Sequence, residues 1–466
     1  MEESKKVILP QKKTGNIPYR IFWTWDHSTN WCLNIPGSQN SGVANPYTKS
    51  PDIFVKDYKR AVDWCAANGM NAVGVVGMLR DRHGGVENAR RICGYGREHG
   101  IRVYLIAGLY AYGGIYYEGN HPYSLDKFFT ENPECIGRRS DGSPLIVKYE
   151  GHGGYKSDPQ GCPSTPKLNE FVLESLDWVF RAIPELGGIQ MEAGDSGVCQ
   201  CSKCQERRGE YATNDAMSFA DMAGIYPQSS DVIWNRSPDA WVICETYHHF
   251  LDEAITSFFR LTNTSLELQK LLKMPERTFW QWKCDVRLEQ GTWVGGDKLP
   301  EPMRKFRHVM RAHSGTQWRG GRHTLAIDKI RRQCLLSYES GLQCVSLFGE
   351  GAPFHTNAEF NYLALQYFSD APFASVENFA EAVMGPRLGG TQLAGKYLEF
   401  AALNIKTEKI PEAIMEITKI ISPLKNYDVV RRWLYLASFL NSFHWESKQC
   451  DCEKKSEDSK GFQVTV

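Results

Sequence analysis

Short apolar runs alternate along the chain with longer segments of helical periodicity. The first run, Tyr19–Trp25, is rich in aromatic and β-branched residues, follows Pro18 and stops at Asp26-His27. Residues 52–67 then carry Phe54, Tyr58, Val62 and Cys65 at the spacing of one helix face, and Gly69 supplies the stop. The unit recurs, with apolar runs at 71–79, 101–109, 188–191, 240–244, 278–282, 308–312 and 342–348 and helical segments at 86–98, 168–183 and 326–340. Runs that are apolar at consecutive positions suit strands buried on both faces, as in parallel sheets covered by helices. Eight such strands, with no G-x-G-x-x-G after the first, predict an α/β chain folded as a (β/α)8 TIM barrel over residues 1–370, not an open dinucleotide-binding sheet.

Two connections are long and polar: residues 110–166 after the third strand and 193–238 after the fourth. Connections of that length usually carry function. From 357 to 445 the chain reads as helical, for example at 358–368 and 411–421: the last barrel helix, then a small helical C-terminal extension over 371–445. The charged stretch 446–466 reads as a disordered tail.

Composition narrows the partners. The chain has 54 Lys and Arg against 54 Asp and Glu, a formal net charge of zero. It therefore lacks the basic footprint that nucleic acid or an anionic membrane surface demands, and neither is expected as a partner. Thirteen Trp and 21 Tyr supply rings that stack on sugar faces and carry a polar handle, although the same rings also serve as core plugs. The start, Met-Glu-Glu-Ser-Lys-Lys-Val-Ile-Leu-Pro, places charges where a leader would be apolar. A cytoplasmic protein is expected, or a periplasmic one had a leader been trimmed. Its 14 cysteines are then expected as reduced thiols, with metal binding the special case.

Barrel enzymes work at the C-terminal ends of their strands. Asp26, Glu192, Glu245 and Glu350 stand at such ends, with Asp195 three residues past Glu192. Hydrolysis of a glycosidic bond needs two carboxyl groups flanking it, and this set can supply them; the alternative is that some of them cap helices or pair with bases. Asp26 sits in Trp23-Thr24-Trp25-Asp26-His27, where indoles would exclude water from a carboxyl group; an aromatic plug with a satisfied Asp–His bond is the competing reading. The third-strand connection adds Arg138, Arg139 and His152, and an arginine fork there could hold a substrate carboxylate. Trp280 and Trp282 share one face of the sixth strand and Gln281 the other, and the two indoles are taken as sugar-stacking candidates. Cys199, Cys201 and Cys204 form a C-x-C-x-x-C, which with Cys162 as fourth ligand would make a structural zinc site; unligated thiols are the alternative. No metal or other cofactor is expected to be required for the chemistry.

Two segments carry a family likeness. Cys162-Pro163-Ser164-Thr165-Pro166, and Gly188-Ile189-Gln190-Met191-Glu192-Ala193-Gly194-Asp195 followed by the three cysteines, resemble barrel glycosidases related to the hexosaminidases and α-glucuronidases. Asn361-Tyr362-Leu363-Ala364-Leu365 resembles the end of such barrels. The resemblance implies a (β/α)8 fold, glycosidic hydrolysis, and acids at Glu192 and Asp195. The Asp-Glu dyad of the hexosaminidases is absent, because Met191 precedes Glu192. The Trp25-Asp26-His27 opening is similar to inverting barrel exo-sialidases. That likeness implies Asp26 as base, His152 as acid and Arg138 or Arg139 on the sialic carboxylate.

The function expected is an exo-acting glycoside hydrolase on a terminal, sialic or uronic or other, sugar of a glycan. Asp26, Glu192, Glu245 and His152 are its catalytic candidates. Trp25, His27, Arg138, Arg139, Asp195, Trp280, Trp282 and Glu350 are its substrate-binding ones. Two rivals remain: a non-catalytic carbohydrate-binding barrel, and a metal-dependent barrel hydrolase using His248, His249 and Asp26.

Overall fold

The structure is a computed structural model that describes residues 17–25, 50–149, 156–192, 197–208, 219–245, 266–283, 303–312, 324–348 and 356–453. Its centre is a closed barrel of eight parallel strands. They are β1 (Tyr19–Trp25), β2 (Ala72–Val76), β3 (Arg102–Gly108), β6 (Gly188–Glu192), β7 (Trp241–Glu245), β8 (Phe279–Lys283), β9 (Arg307–Ala312) and β10 (Cys344–Phe348). Each pairs with its neighbour in sequence order, and β1 closes on β10 with Tyr19 opposite Cys344. β4 (Ile146–Tyr149) and β5 (Lys156–Pro159) form an antiparallel hairpin in the connection after β3.

All eight strands occur where the apolar runs predicted them, with ends shifted by at most three residues. The helices α1 (Pro51–Ala67), α2 (Gly85–Glu98) and α4 (Pro166–Ala182) do likewise. α1 ends as expected: Gly69 adopts φ +80°, a left-handed conformation that costs a side-chain-bearing residue more. The long connections differ from the sequence reading. The one after β3 contains α3 (Leu125–Glu131) and the hairpin, and the one after β6 contains α5 (Ser202–Arg208), α6 (Phe219–Met222) and α7 (Tyr226–Arg236). Their apolar residues are too sparse to stand out as a face, yet Tyr226, Ile233 and Trp234 of α7 are buried.

Strand alternation sorts side chains into two cores. Outward residues such as Phe22, Val73, Val103, Val242, Trp280 and Trp282 pack against the helices, while Ile21, Trp23, Ala72, Tyr104, Ile243, Phe279 and Val309 fill the barrel. The barrel's N-terminal end is plugged. Tyr19, Trp241 and Phe279 meet with ring centroids 5.0–5.9 Å apart, the Arg307 guanidinium lies over Tyr19 and Phe279, and Arg102 lies over Trp241. Higher in the barrel, Gly74 makes room for the Tyr104 ring: a Cβ there would sit 2.4 Å from it.

After α8 (Leu266–Leu272), α9 (Ile327–Glu339) and α10 (Thr356–Asp370), the chain continues as helices that dock on α10. The dock is a buried ion pair, Arg432 donating to both oxygens of Glu359 at 2.8 and 2.9 Å, with Tyr397 hydrogen-bonded to Asn357 beside it. The last helix, Tyr427–Glu453, passes the expected start of the tail at 446. Glu, Lys and Gln are good helix formers, so the helix outlasts its apolar face; residues 454–466 lie outside the described residues. No helix among the described residues is long and apolar enough to cross a membrane.

Two stability measurements follow. Gly74→Ala should lower unfolding free energy by about 1–3 kcal/mol through overpacking against Tyr104, read from a denaturant midpoint. His308 gives a pH dependence. Trp282 Nε1–H donates to its Nδ1 at 2.9 Å and Met303 O lies 2.8 Å from its Nε2, so the ring is the neutral Nε2–H tautomer. Burial pushes its pKa down to about 4, while an unfolded histidine titrates near 6.5. The unfolded chain therefore takes up the proton first as pH falls. His308 should contribute fully above pH ~6.5 and remove about 3 kcal/mol between there and pH ~4. His308→Gln, which can make both bonds without titrating, should flatten the stability profile between pH 7 and 5.

Candidate active site at the barrel mouth

Opposite the aromatic plug, the barrel interior turns polar. Alternation puts Gln190 and Glu192 on the inner face of β6, Glu245 on that of β7, Gln281 on that of β8 and Arg311 on that of β9. All five are buried. Arg311 Nη2 lies 3.1 Å from Glu245 Oε1, and its Nη1 lies 3.7 Å from Glu192 Oε1. Gln190 Nε2 donates to Glu192 Oε1 at 3.1 Å, and Gln281 Nε2 donates to Glu245 Oε1 at 3.2 Å. The guanidinium also lies over the Trp23 ring, 5.2 Å from its centroid. Four strands thus hold two carboxylates around one cation.

Such a cluster is expensive. Apolar residues of similar volume are often as stable as a buried ion pair or more so, whereas removing one partner costs several kcal/mol. Stability alone does not explain its presence in a barrel whose lower layers are apolar. The frame around it is rigid. The Tyr226 hydroxyl, from the first residue of α7, lies 2.8 Å from Glu245 O and 3.1 Å from Met191 O, within donating distance of both strand ends. Burial, then the neighbouring Cys244, Glu245 and Glu192, push its pKa well above that of an ordinary phenol, so it stays a donor.

The connection after β3 forms one wall. Ala111, Tyr112 and Tyr117 pack with the barrel-interior residues, and Arg80, just past β2, lies over the Tyr117 ring at 4.2 Å while pairing with Glu118 at 2.6 Å. Tyr110 OH bonds Asn169 at 2.7 Å and Tyr116 OH bonds Asp81 at 2.5 Å, which fastens the wall to α4 and to the turn before α2. The Asp81 carboxyl is held below its usual range, first by Tyr116 and then by the Asn120 amide.

Of the sequence candidates, Glu192 and Glu245 come together on Arg311. Arg138 and Arg139 stand in the β3 connection. Arg138 is half-buried, its backbone N–H directed at Cys199 Sγ (3.3 Å), and the exposed Arg139 donates to Ile146 O at 2.7 Å. Trp280 and Trp282 are a correction. Both face outward, fully buried between barrel and helices, Trp280 against Tyr226 and Phe306 and Trp282 on His308, so neither is open to a sugar in the mouth. Their inward neighbour is Gln281. Asp26, His27, His152, Asp195, Glu350, His248 and His249 lie outside the described residues, as does the Trp25 side chain. Sequence reasoning missed Arg311, Gln190, Gln281 and Arg80. For Gln190 and Gln281 the available signal was a polar residue two positions before a strand end, in step with the inward-facing positions; Arg311 stands one position before the end of β9, and Arg80 lies beyond β2.

Beside the mouth, Cys162 meets Cys199, Cys201 and Cys204, all four Sγ atoms within 4.8 Å of one another. Cys162 lies 3.8 Å from Cys201 and 3.7 Å from Cys204. The Cys204 thiol is pushed far below its ordinary pKa, first by hydrogen bonds from Cys162 and Cys199 and further by Ser164 and Arg207; Cys162 is pushed up by those same thiol bonds.

No protein-family model and no curated protein matches the chain. Solved structures to which it is similar include the α-amylase of Geobacillus thermoleovorans in complex with acarbose (9% identity over 78% of this chain and 79% of that one, TM-score 0.41). Others are the debranching enzyme of Nostoc punctiforme (10%, 77% and 83%, 0.41) and the cyclic α-maltosyl-(1→6)-maltose hydrolase of Arthrobacter globiformis with maltose (10%, 75% and 82%, 0.44). The hexosaminidase, α-glucuronidase and exo-sialidase likenesses of the short motifs find no support in these three.

Replacing Arg311 tests the cluster. Arg311→Met leaves two buried carboxylates without their cation and should cost about 3–5 kcal/mol. The triple variant with Glu192→Gln and Glu245→Gln should recover most of that. Urea midpoints of the two variants against the parent decide the matter, and an equal loss in both would assign the cost to packing.

Proposed function

We propose that this protein is a glycoside hydrolase that removes a terminal sugar from a glycan by carboxylate catalysis at the barrel mouth. The observation that carries the reading is the pair of buried strand-end carboxylates, Glu192 and Glu245, gathered on Arg311 at the C-terminal end of a barrel whose N-terminal end is plugged. Glycosidic cleavage passes through a transition state with oxocarbenium character. Among the described residues two carboxylates face this one guanidinium, oriented by Gln190 and Gln281, and bring carboxylate charge to the mouth. That charge favours a developing cation over a neutral bound sugar, the differential binding that accelerates a reaction.

In this reading Glu192 and Glu245 stabilise charge at the anomeric centre. Asp26, next in sequence after the last residue of β1, activates water as base, and His152 protonates the leaving oxygen. Support for exo action comes from the connection after β3, whose Ala111, Tyr112 and Tyr117 pack against the barrel-interior residues, an arrangement that suits a pocket better than an open groove. Where the terminal sugar is sialic or uronic, Arg138 or Arg139 provides a fork for its carboxylate.

The test is a panel of chromogenic glycosides, neutral sugars beside sialosides and uronides, on the parent chain and on Asp26→Asn, Glu192→Gln and Glu245→Gln. One sugar class should be turned over, and each substitution should lower kcat/KM by about 10²–10³-fold or more, the loss typical of a lost transition-state contact. Turnover untouched by all three variants would end the proposal. Sugar binding without turnover would make the protein a carbohydrate-binding barrel.

A further inference from the structure

The four-cysteine cluster lies outside the proposed chemistry. It joins two connections that sequence keeps far apart: Cys162 ends the one after β3, and Cys199, Cys201 and Cys204 lie in the one after β6. The sulfur spacing discriminates among its possible states. A disulfide needs sulfurs about 2.05 Å apart, and Cys162 lies 3.8 and 3.7 Å from Cys201 and Cys204. A tetrahedral ion with metal–sulfur bonds of about 2.3 Å places its sulfurs about 3.8 Å from one another. The surroundings suit thiolates. The Arg138 backbone N–H points at Cys199 Sγ at 3.3 Å, the Arg207 guanidinium at Cys204 Sγ at 3.3 Å, and Ser164 Oγ lies 3.1 Å from Cys204 Sγ. Outer donors of this kind orient metal ligands and offset the negative charge of a four-thiolate site.

We propose that Cys162, Cys199, Cys201 and Cys204 bind one zinc ion that clamps the connections after β3 and β6 together beside the barrel mouth. Four protein sulfurs fill a tetrahedral shell, so the site is structural and holds no water for catalysis. Binding replaces the protons still carried by the thiols and changes no oxidation state. The clamp reaches the barrel through a continuous chain of contacts. Gln200 N donates to Arg138 O at 2.6 Å, Arg208 donates to Cys199 O and pairs with Asp221 at 3.0 Å, and Asp221 lies one short turn ahead of Tyr226, whose hydroxyl meets the carbonyls of Met191 and Glu245.

The test uses the full chain, expressed with zinc in the medium and purified without chelators. Elemental analysis should find about one zinc per chain. Cobalt(II) exchanged into the site should show the intense visible bands of tetrahedral geometry and a thiolate-to-cobalt charge-transfer band in the near ultraviolet. Cys201→Ser, at the one half-buried cysteine of the set, should lose most of the zinc and unfold at a lower temperature. Arg138→Ala should keep the zinc, because its contribution is a backbone N–H. Should the cysteine variant fail to fold, the cobalt spectrum of the parent decides. A chain that takes up neither metal, a weak octahedral cobalt spectrum, or a disulfide mapped among Cys162, Cys199, Cys201 and Cys204 would each overturn the proposal.

Discussion

One guanidinium shared by two carboxylates organises the upper half of this barrel. Arg311 cannot lose its charge at any pH the fold survives, so the strands that face it have to answer a permanent buried cation. β6 and β7 do so with Glu192 and Glu245, and Gln190 and Gln281 donate to the same two Oε1 atoms that face the arginine. Trp23 supplies a ring face from β1. The result is a polarity gradient along the barrel axis, from packed aromatics at the N-terminal end to a dense ionic layer at the C-terminal one. Backbone support follows the same need, with Tyr226 bridging the two strand ends that carry the acids.

The barrel itself was legible because a strand buried on both faces has to be apolar at consecutive positions, and eight such runs have few other ways to be satisfied. Glu192 and Glu245 were legible as acids interrupting those runs at their ends. Arg311 was not. Arg307-His308-Val309-Met310-Arg311-Ala312 reads as a mixed segment until it is known that Val309 points inward, which places Arg311 inward too. Trp280 and Trp282 were misjudged for a related reason: alternation says that the two indoles share a face but not which face, and only tertiary packing chooses. The helix α7 was hidden inside a polar stretch because Tyr226, Ser229, Ser230, Ile233 and Trp234 bury a narrow face with three hydroxyls in it.

The connections after β3 and β6 illustrate how a barrel specialises. Neither is bare loop. The first contributes Tyr112 and Tyr117 to the interior packing, with Arg80 from the connection after β2 stacked on Tyr117, and it carries Arg138 and Arg139 ahead of its hairpin. The second returns through α7 to brace the acids. Cys162, at the end of one, and the three cysteines of the other meet where the connections run side by side. Residues distant in sequence are thereby brought to one rim, while the barrel beneath is built from local, repetitive pairings.

The aromatic plug has a consequence for traffic. Tyr19, Trp241 and Phe279, capped by Arg102 and Arg307, leave the barrel no rear exit. A molecule that reaches the ionic layer leaves by the way it came. Under the proposed hydrolysis, the fragment nearer the solvent would have to depart before the inner one, and the inner one would occupy the seat that the next arrival needs. Slow departure of that fragment would throttle the whole cycle, and it would compete with fresh substrate for one place.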